Sequence, residues 1–83
     1  MFFVYILQSD FDNSFYIGYT TNLERRLQEH NEGKSRYTSK KIPWQLKYHE
    51  NFNNKTDALK REHFLKKQRN RKFYQKLINS SAG

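Results

Sequence analysis

The sequence predicts an α+β domain, a small three-stranded antiparallel sheet flanked by helices in the order β-β-α-β-α-α. Three observations predict it. Two aromatic and β-branched runs, Phe2 to Gln8 and Phe15 to Thr20, are separated by turn-forming residues. The segment that follows spaces its apolar residues at a helical period behind Asn22. Trp44 to Glu50 then alternates at period two, ahead of two further helical runs.

The first two strands read as an antiparallel hairpin, because Ser9-Asp10-Phe11-Asp12-Asn13-Ser14 is a short loop of side chains that bond their own backbone. Alternation places Phe3, Tyr5 and Leu7 on one face of the first strand, and Tyr16, Gly18 and Thr20 on one face of the second. A turn centred near Asp10 and Phe11 puts Tyr5 across from Tyr16, both rings on one side. Gly18 then leaves a gap beside them, for a bulge or for close approach of a ligand.

Asn22 is the expected N-cap of the first helix, which Gly33 ends after about Asn31. Leu23, Arg26, Leu27 and His30 share one stripe of that helix, so a cation and a titratable ring lie on its core side, while Arg25, Gln28 and Glu29 face water. Lys34 to Pro43 is a basic loop, long enough to be functional. The third strand turns Trp44, Leu46 and Tyr48 to the core. The second helix, capped by Asn54 or Thr56, runs from about Asp57 to Arg69, with Glu62 in the apolar stripe of Ala58 and Leu65. Asn70 interrupts it, and Phe73, Leu77 and Ile78 mark a short third helix before a frayed tail from Ser80 to Gly83.

With 83 residues the chain is read as a single domain, residues 1–83, with a modest core filled by seven Phe, six Tyr and one Trp. It has no cysteine, which fits a reducing, cytoplasmic setting. No apolar run approaches the ~18 residues of a membrane span, and the apolar start lacks the marks of a signal peptide. The net charge is +8, which makes nucleic acid the expected partner and an anionic membrane or ribosome surface the runner-up.

Phosphodiester hydrolysis requires a proton acceptor for the nucleophile, cations for the developing phosphoryl charge, and often a metal for the leaving oxygen. This chain has few clustered carboxylates, so a two-metal site built on several of them is not expected. It offers tyrosines, Arg26, His30 and the inward-aimed Glu62 instead.

Tyr5 with Phe15-Tyr16-Ile17-Gly18, followed by Asn22-Leu23-x-x-Arg26-Leu27-x-x-His30, resembles the GIY-YIG nuclease domain. Val4-Tyr5-Ile6-Leu7-Gln8-Ser9, Tyr16-Ile17-Gly18-Tyr19-Thr20, Arg36-Tyr37-Thr38, Trp44-x-Leu46 and Ala58-x-x-Arg61-Glu62 are similar to its small stand-alone bacterial members. The resemblance covers nearly the whole chain, and the ordered set is specific although each piece is weak.

The resemblance implies a metal-dependent endonuclease acting on DNA, with a place in repair or recombination. Tyr5 and Tyr16 match the tyrosines of the two motifs, one of which helps activate the attacking water. Arg26 matches the arginine that holds the scissile phosphate, and His30 the position that assists proton transfer. Glu62 matches the single carboxylate that binds one divalent metal, Mg2+ or Mn2+, a donor set that suits magnesium because it keeps much of its hydration. There are departures. Phe3 replaces the glycine of the first motif. No second histidine follows in the loop, where Tyr37 or Lys40 could substitute, and Asn79 is the nearest match to a late asparagine of some members.

Gly18, Arg36, Tyr37, Lys40 and Arg69 are the expected substrate-binding residues. The segment Lys66-Lys67-Gln68-Arg69-Asn70-Arg71-Lys72 and the basic loop would track phosphates, and Tyr37 would stack on a base or sugar. Each residue also has a plainer reading. The tyrosines suit a sheet as packing groups, and Arg26 suits a stem laid on the sheet with its head in water. His30 suits a helix C-terminus, and Glu62 suits an ion pair with Lys66. Two other functions stand beside the nuclease: a nucleic-acid-binding module in a repair or recombination assembly, and a structural protein on an RNA or ribosome surface.

Overall fold

The computed structural model describes residues 1–81. Strands β1 (Phe2–Ser9), β2 (Phe15–Thr20) and β3 (Trp44–Phe52) form one sheet, with helices α1 (Leu23–Asn31), α2 (Lys55–Gln68) and α3 (Arg71–Ser81). The strand order is β2-β1-β3, antiparallel throughout, so the expected α+β architecture is observed. β1 is central because Val4, Tyr5, Ile6 and Leu7 are all buried, which only a strand covered on both faces allows. Against one face, α2 and α3 pack Ala58, Leu65 and Tyr74 onto Val4, Ile6 and Ile17. Against the other, Leu23 and Leu27 of α1 meet Tyr5, Leu7 and Trp44. Among the described residues, no helix is long and apolar enough to cross a membrane.

The hairpin register differs from the expected one. Tyr5 pairs with Gly18, and Tyr16 with Leu7, which places the turn centre between Phe11 and Asp12. The cause is the loop. Ser9 and Ser14 are joined by a backbone bond of 2.9 Å, while the Ser9 hydroxyl accepts from the amides of Phe11 and Asp12. Asn13 closes the turn at φ 64°, a left-handed conformation that asparagine tolerates. Tyr16 is therefore diagonal to Tyr5, on the same face.

The third strand departs too. Ile6 pairs with Tyr48 but Leu7 with Leu46, leaving Lys47 as the extra residue of a bulge. Trp44 and Leu46 thus join the α1 side, whereas Tyr48 packs on the α2–α3 side. There the Tyr48 hydroxyl donates to Glu50, which holds Arg61 through two bonds of 2.8 and 2.9 Å.

Asn22 and Asn54 cap α1 and α2 through their side chains, 3.1 and 2.8 Å from the amides of Arg25 and Asp57. Gly33, at φ 78°, follows α1 and donates to the His30 carbonyl. Part of the basic loop is a tight helical turn, Thr38–Lys41, rather than irregular chain. α3 runs through Ser80 and Ser81, which were expected in a frayed tail; the rest of that tail lies outside the described residues.

Candidate functional site

Gly18 decides how the site is built. A Cβ at that position would overlap the Tyr5 hydroxyl and lie 2.5 Å from Tyr5 Cζ. The gap left by the missing side chain is thus filled by the Tyr5 ring and is not open to a ligand. Lying across the glycine, Tyr5 is buried, and its hydroxyl is 2.9 Å from His30 Nε2. The His30 ring is fully buried, and its Nδ1 is 2.7 Å from the Thr38 hydroxyl. Trp44 Nε1 holds the same turn by donating to the Thr38 carbonyl at 2.9 Å.

Tyr16 covers this network on the open side. Its ring lies 5.0 Å from His30, 6.4 Å from Tyr5, 5.8 Å from Tyr37 and 6.2 Å from Trp44, centroid to centroid. Arg26 comes from α1 one turn before His30 and is held by Glu29 at 3.0 Å. Glu29, expected to face water, is thus a partner of the site arginine. The guanidinium charge also favours the ionised form of the Tyr5 hydroxyl.

The electrostatics follow from burial. The Tyr5 phenol is pushed up to about 12, first by burial and then by Tyr16, against the opposing pull of Arg26. Glu62 adds to the rise, so its charge is felt at Tyr5 from α2. The same burial, and then Arg26, push His30 down to about 4, so the imidazole is neutral at pH 7. Tyr5 is therefore not a standing phenolate, and His30 is a neutral hydrogen-bonding group.

The His30 shift fixes a stability prediction. The unfolded histidine binds a proton near pH 6.5 and the folded one only near 4, so stability is full above about 6.5 and falls as pH drops toward 4. Carboxylates held down by cations lose their contribution only below about 4.5. One is Glu50, kept low by Arg61 and Tyr48 although burial opposes them. Urea melts between pH 7.5 and 4.5 are expected to show a declining midpoint in the wild type. In His30→Gln the midpoint is expected to be lower but nearly flat over that range.

Glu62 has a side chain 18 % exposed and lies 3.2 Å from Lys66 Nζ, the ion pair anticipated as its plainer role. Among the described residues, no group of three or more His, Cys, Asp or Glu could hold a metal. The donor set excludes a zinc-type site, but one half-buried carboxylate fits a magnesium ion that keeps its waters and takes phosphate oxygens.

Two clefts flank the site. One, of about 330 Å³, is lined by Phe15, Tyr16, Ile17, Tyr37, Lys66, Arg69 and Tyr74. The other, of about 530 Å³, is lined by Arg36, Tyr37, Lys40 and Lys41. Tyr37, 64 % exposed, is their shared wall. Five sequence-predicted residues (Tyr5, Tyr16, Arg26, His30 and Glu62) are thus linked by contact or field, and Arg36, Tyr37, Lys40 and Arg69 line the approaches. Asn79 accepts a hydrogen bond from Gln75 within α3. Sequence reasoning missed Thr38, because a threonine in a basic loop carries no periodic signal.

Comparison with known proteins gives the family to which this α+β fold belongs. The GIY-YIG catalytic domain profile matches residues 1–76, and the chain belongs to the GIY-YIG family. It is similar to small proteins named UPF0213. One, SH2523 of Staphylococcus haemolyticus, is 46 % identical over 65 residues, 77 % of this chain and 78 % of the relative. Another, CPE1444 of Clostridium perfringens, is 44 % identical over 99 % of this chain and 87 % of the relative. The solution NMR structure of the UPF0213 protein BH0048 from Bacillus halodurans superposes with a TM-score of 0.61. It is 34 % identical, covering all of this chain and 88 % of that one.

Proposed function

We propose that this protein is a metal-dependent endonuclease that hydrolyses phosphodiester bonds of nucleic acid, with DNA as its substrate and repair or recombination in the cytoplasm as its setting. The observation that carries the reading is the convergence of two phenols, a neutral imidazole and a guanidinium on one sheet face, beside two cationic clefts. A packing role explains each group alone, but not a buried Tyr5–His30–Thr38 chain behind an open Tyr16.

In this reading Tyr16 is the phenol that meets the attacking water, because it lines the cleft whereas Tyr5 is buried. Tyr5 joins the field of Arg26 to His30, whose neutral imidazole accepts the Tyr5 proton in a hydrogen bond. Arg26 neutralises the phosphoryl oxygens as charge develops, leaving Glu29 for the phosphate. Glu62 would hold a magnesium or manganese ion, which when bound supplies positive charge at the leaving oxygen. Arg36, Lys40, Lys66 and Arg69 meet flanking phosphates, and Tyr37 stacks on a base or sugar.

A second reading, a module that binds nucleic acid without cutting it, is favoured by the Glu62–Lys66 pair, since the carboxylate already has a cation. Incubation of the protein with branched, nicked, single-stranded and plasmid DNA plus magnesium or manganese separates the two. The nuclease reading expects metal-dependent cleavage, reduced at least about 100-fold in Glu62→Ala and Tyr16→Phe. Salt-sensitive binding with no cleavage of any substrate would leave the binding module.

A further inference from the structure

We propose that Thr38 is a positioning residue. Its hydroxyl fixes which nitrogen of His30 carries the proton, and so ties the phosphate-facing loop to the Tyr5–His30 pair. Hydrogen bonds link Ser35, Thr38, His30 and Tyr5 in one chain. The Ser35 carbonyl, 3.5 Å from Thr38 Oγ1, can only accept. With the single Thr38 proton given to Ser35, Oγ1 accepts from His30 Nδ1 at 2.7 Å. At the far end the Tyr5 hydroxyl lies 2.9 Å from Nε2, and with Nδ1 protonated that nitrogen is bare and accepts the phenolic proton. The Thr38 end thus selects one tautomer, with Nδ1 protonated and Nε2 bare.

The loop geometry adds the second half. Thr38 is fully buried, yet its chain neighbours Arg36, Tyr37 and Lys40 are exposed and line the cleft. Its turn is anchored at the carbonyl by Trp44, whose own amide donates to Asn31 Oδ1 at 2.6 Å. Asn31 directly follows His30 on α1. The segment that would grip a phosphate and the group that orients the imidazole are thus one short turn, pinned at the end of the helix that carries the imidazole.

The test is the nitrogen NMR spectrum of the His30 ring in uniformly labelled full-length protein, at neutral pH. The expected wild-type result is a single tautomer with the proton on Nδ1. Thr38→Val, similar in shape but without a hydroxyl, is expected to lose it, and Thr38→Ser to keep it. A proton on Nε2 in the wild type, or wild-type ring shifts in Thr38→Val, would overturn the proposal. Should Thr38→Val not fold, the wild type and Thr38→Ser still decide.

A cleavage arm rests on the nuclease reading. There Thr38→Val is expected to lower the single-turnover rate about 10- to 100-fold with unchanged DNA affinity, and Thr38→Ser to restore it. Equal loss in both variants would assign Thr38 a merely structural part. The spectra need no activity, so protein that holds the tautomer yet cuts nothing would count against the nuclease reading alone.

Discussion

Gly18→Ala is expected to destabilise the domain by about 1–3 kcal/mol or more and to abolish cleavage. The added methyl would overlap the Tyr5 phenol, and that ring has nowhere to go. Tyr5 is 1 % exposed, hydrogen-bonded to His30 and flanked by Tyr16. Relief requires the ring to leave its rotamer or β2 to move off β1, and either separates the two phenols from His30. A domain of this size holds roughly 4–12 kcal/mol in total, so the loss is a large share of it. Thermal melts are expected to show a fall of roughly 5–20 °C. Tyr5→Phe removes the nearest clashing atom, so Gly18→Ala with Tyr5→Phe should be less destabilised than the sum of the two single changes. Wild-type melting and cleavage in Gly18→Ala would contradict the Tyr5–Gly18 pairing.

Arg26→Lys is expected to act in the opposite way, with a large effect on rate and a small one on stability. Arg26 is about a third exposed, as is its partner Glu29, so their pair contributes at most about 1 kcal/mol. Lysine keeps the charge and can still meet Glu29. It lacks the planar fork that can grip two phosphate oxygens at once. The cleavage rate is expected to drop about 100- to 1,000-fold, with a melting temperature within a few degrees of wild type. A near-normal rate in Arg26→Lys would reduce Arg26 to a surface charge.

Element types were legible because their signals are local. Asn22 caps α1, Gly33 follows it at positive φ, and Trp44 starts a strand, all as spacing implied. The face shared by Tyr5 and Tyr16 was legible too, because side-chain alternation survives a shift of two in the pairing. The register itself was not, since it depends on the Ser9 hydroxyl taking two turn amides. The Lys47 bulge was hidden for a similar reason. A clean alternation from Trp44 to Tyr48 reads as one face, and only pairing with β1 reveals the extra residue.

In the candidate site, helical spacing placed Arg26 and His30 on the core side of α1 and Glu62 in the apolar stripe of α2, and the family resemblance supplied their expected roles. Thr38 could not be read this way, because its importance lies in a bond to a ring eight residues earlier that forms only when α1 and the turn pack on Trp44. Gly18 was noticed for the right reason, a missing side chain beside the tyrosines, but the space belongs to Tyr5.

The central claim is that Glu62, reaching from the other side of the sheet, shares one centre with the two phenols. A crystal grown with manganese, with anomalous scattering measured at its absorption edge, tests this most directly. The expected result is one strong peak at the Glu62 carboxylate facing Tyr16, with Lys66 Nζ moved away from its 3.2 Å contact. A peak elsewhere, or none at Glu62 in protein that cleaves DNA with manganese, would contradict the claim.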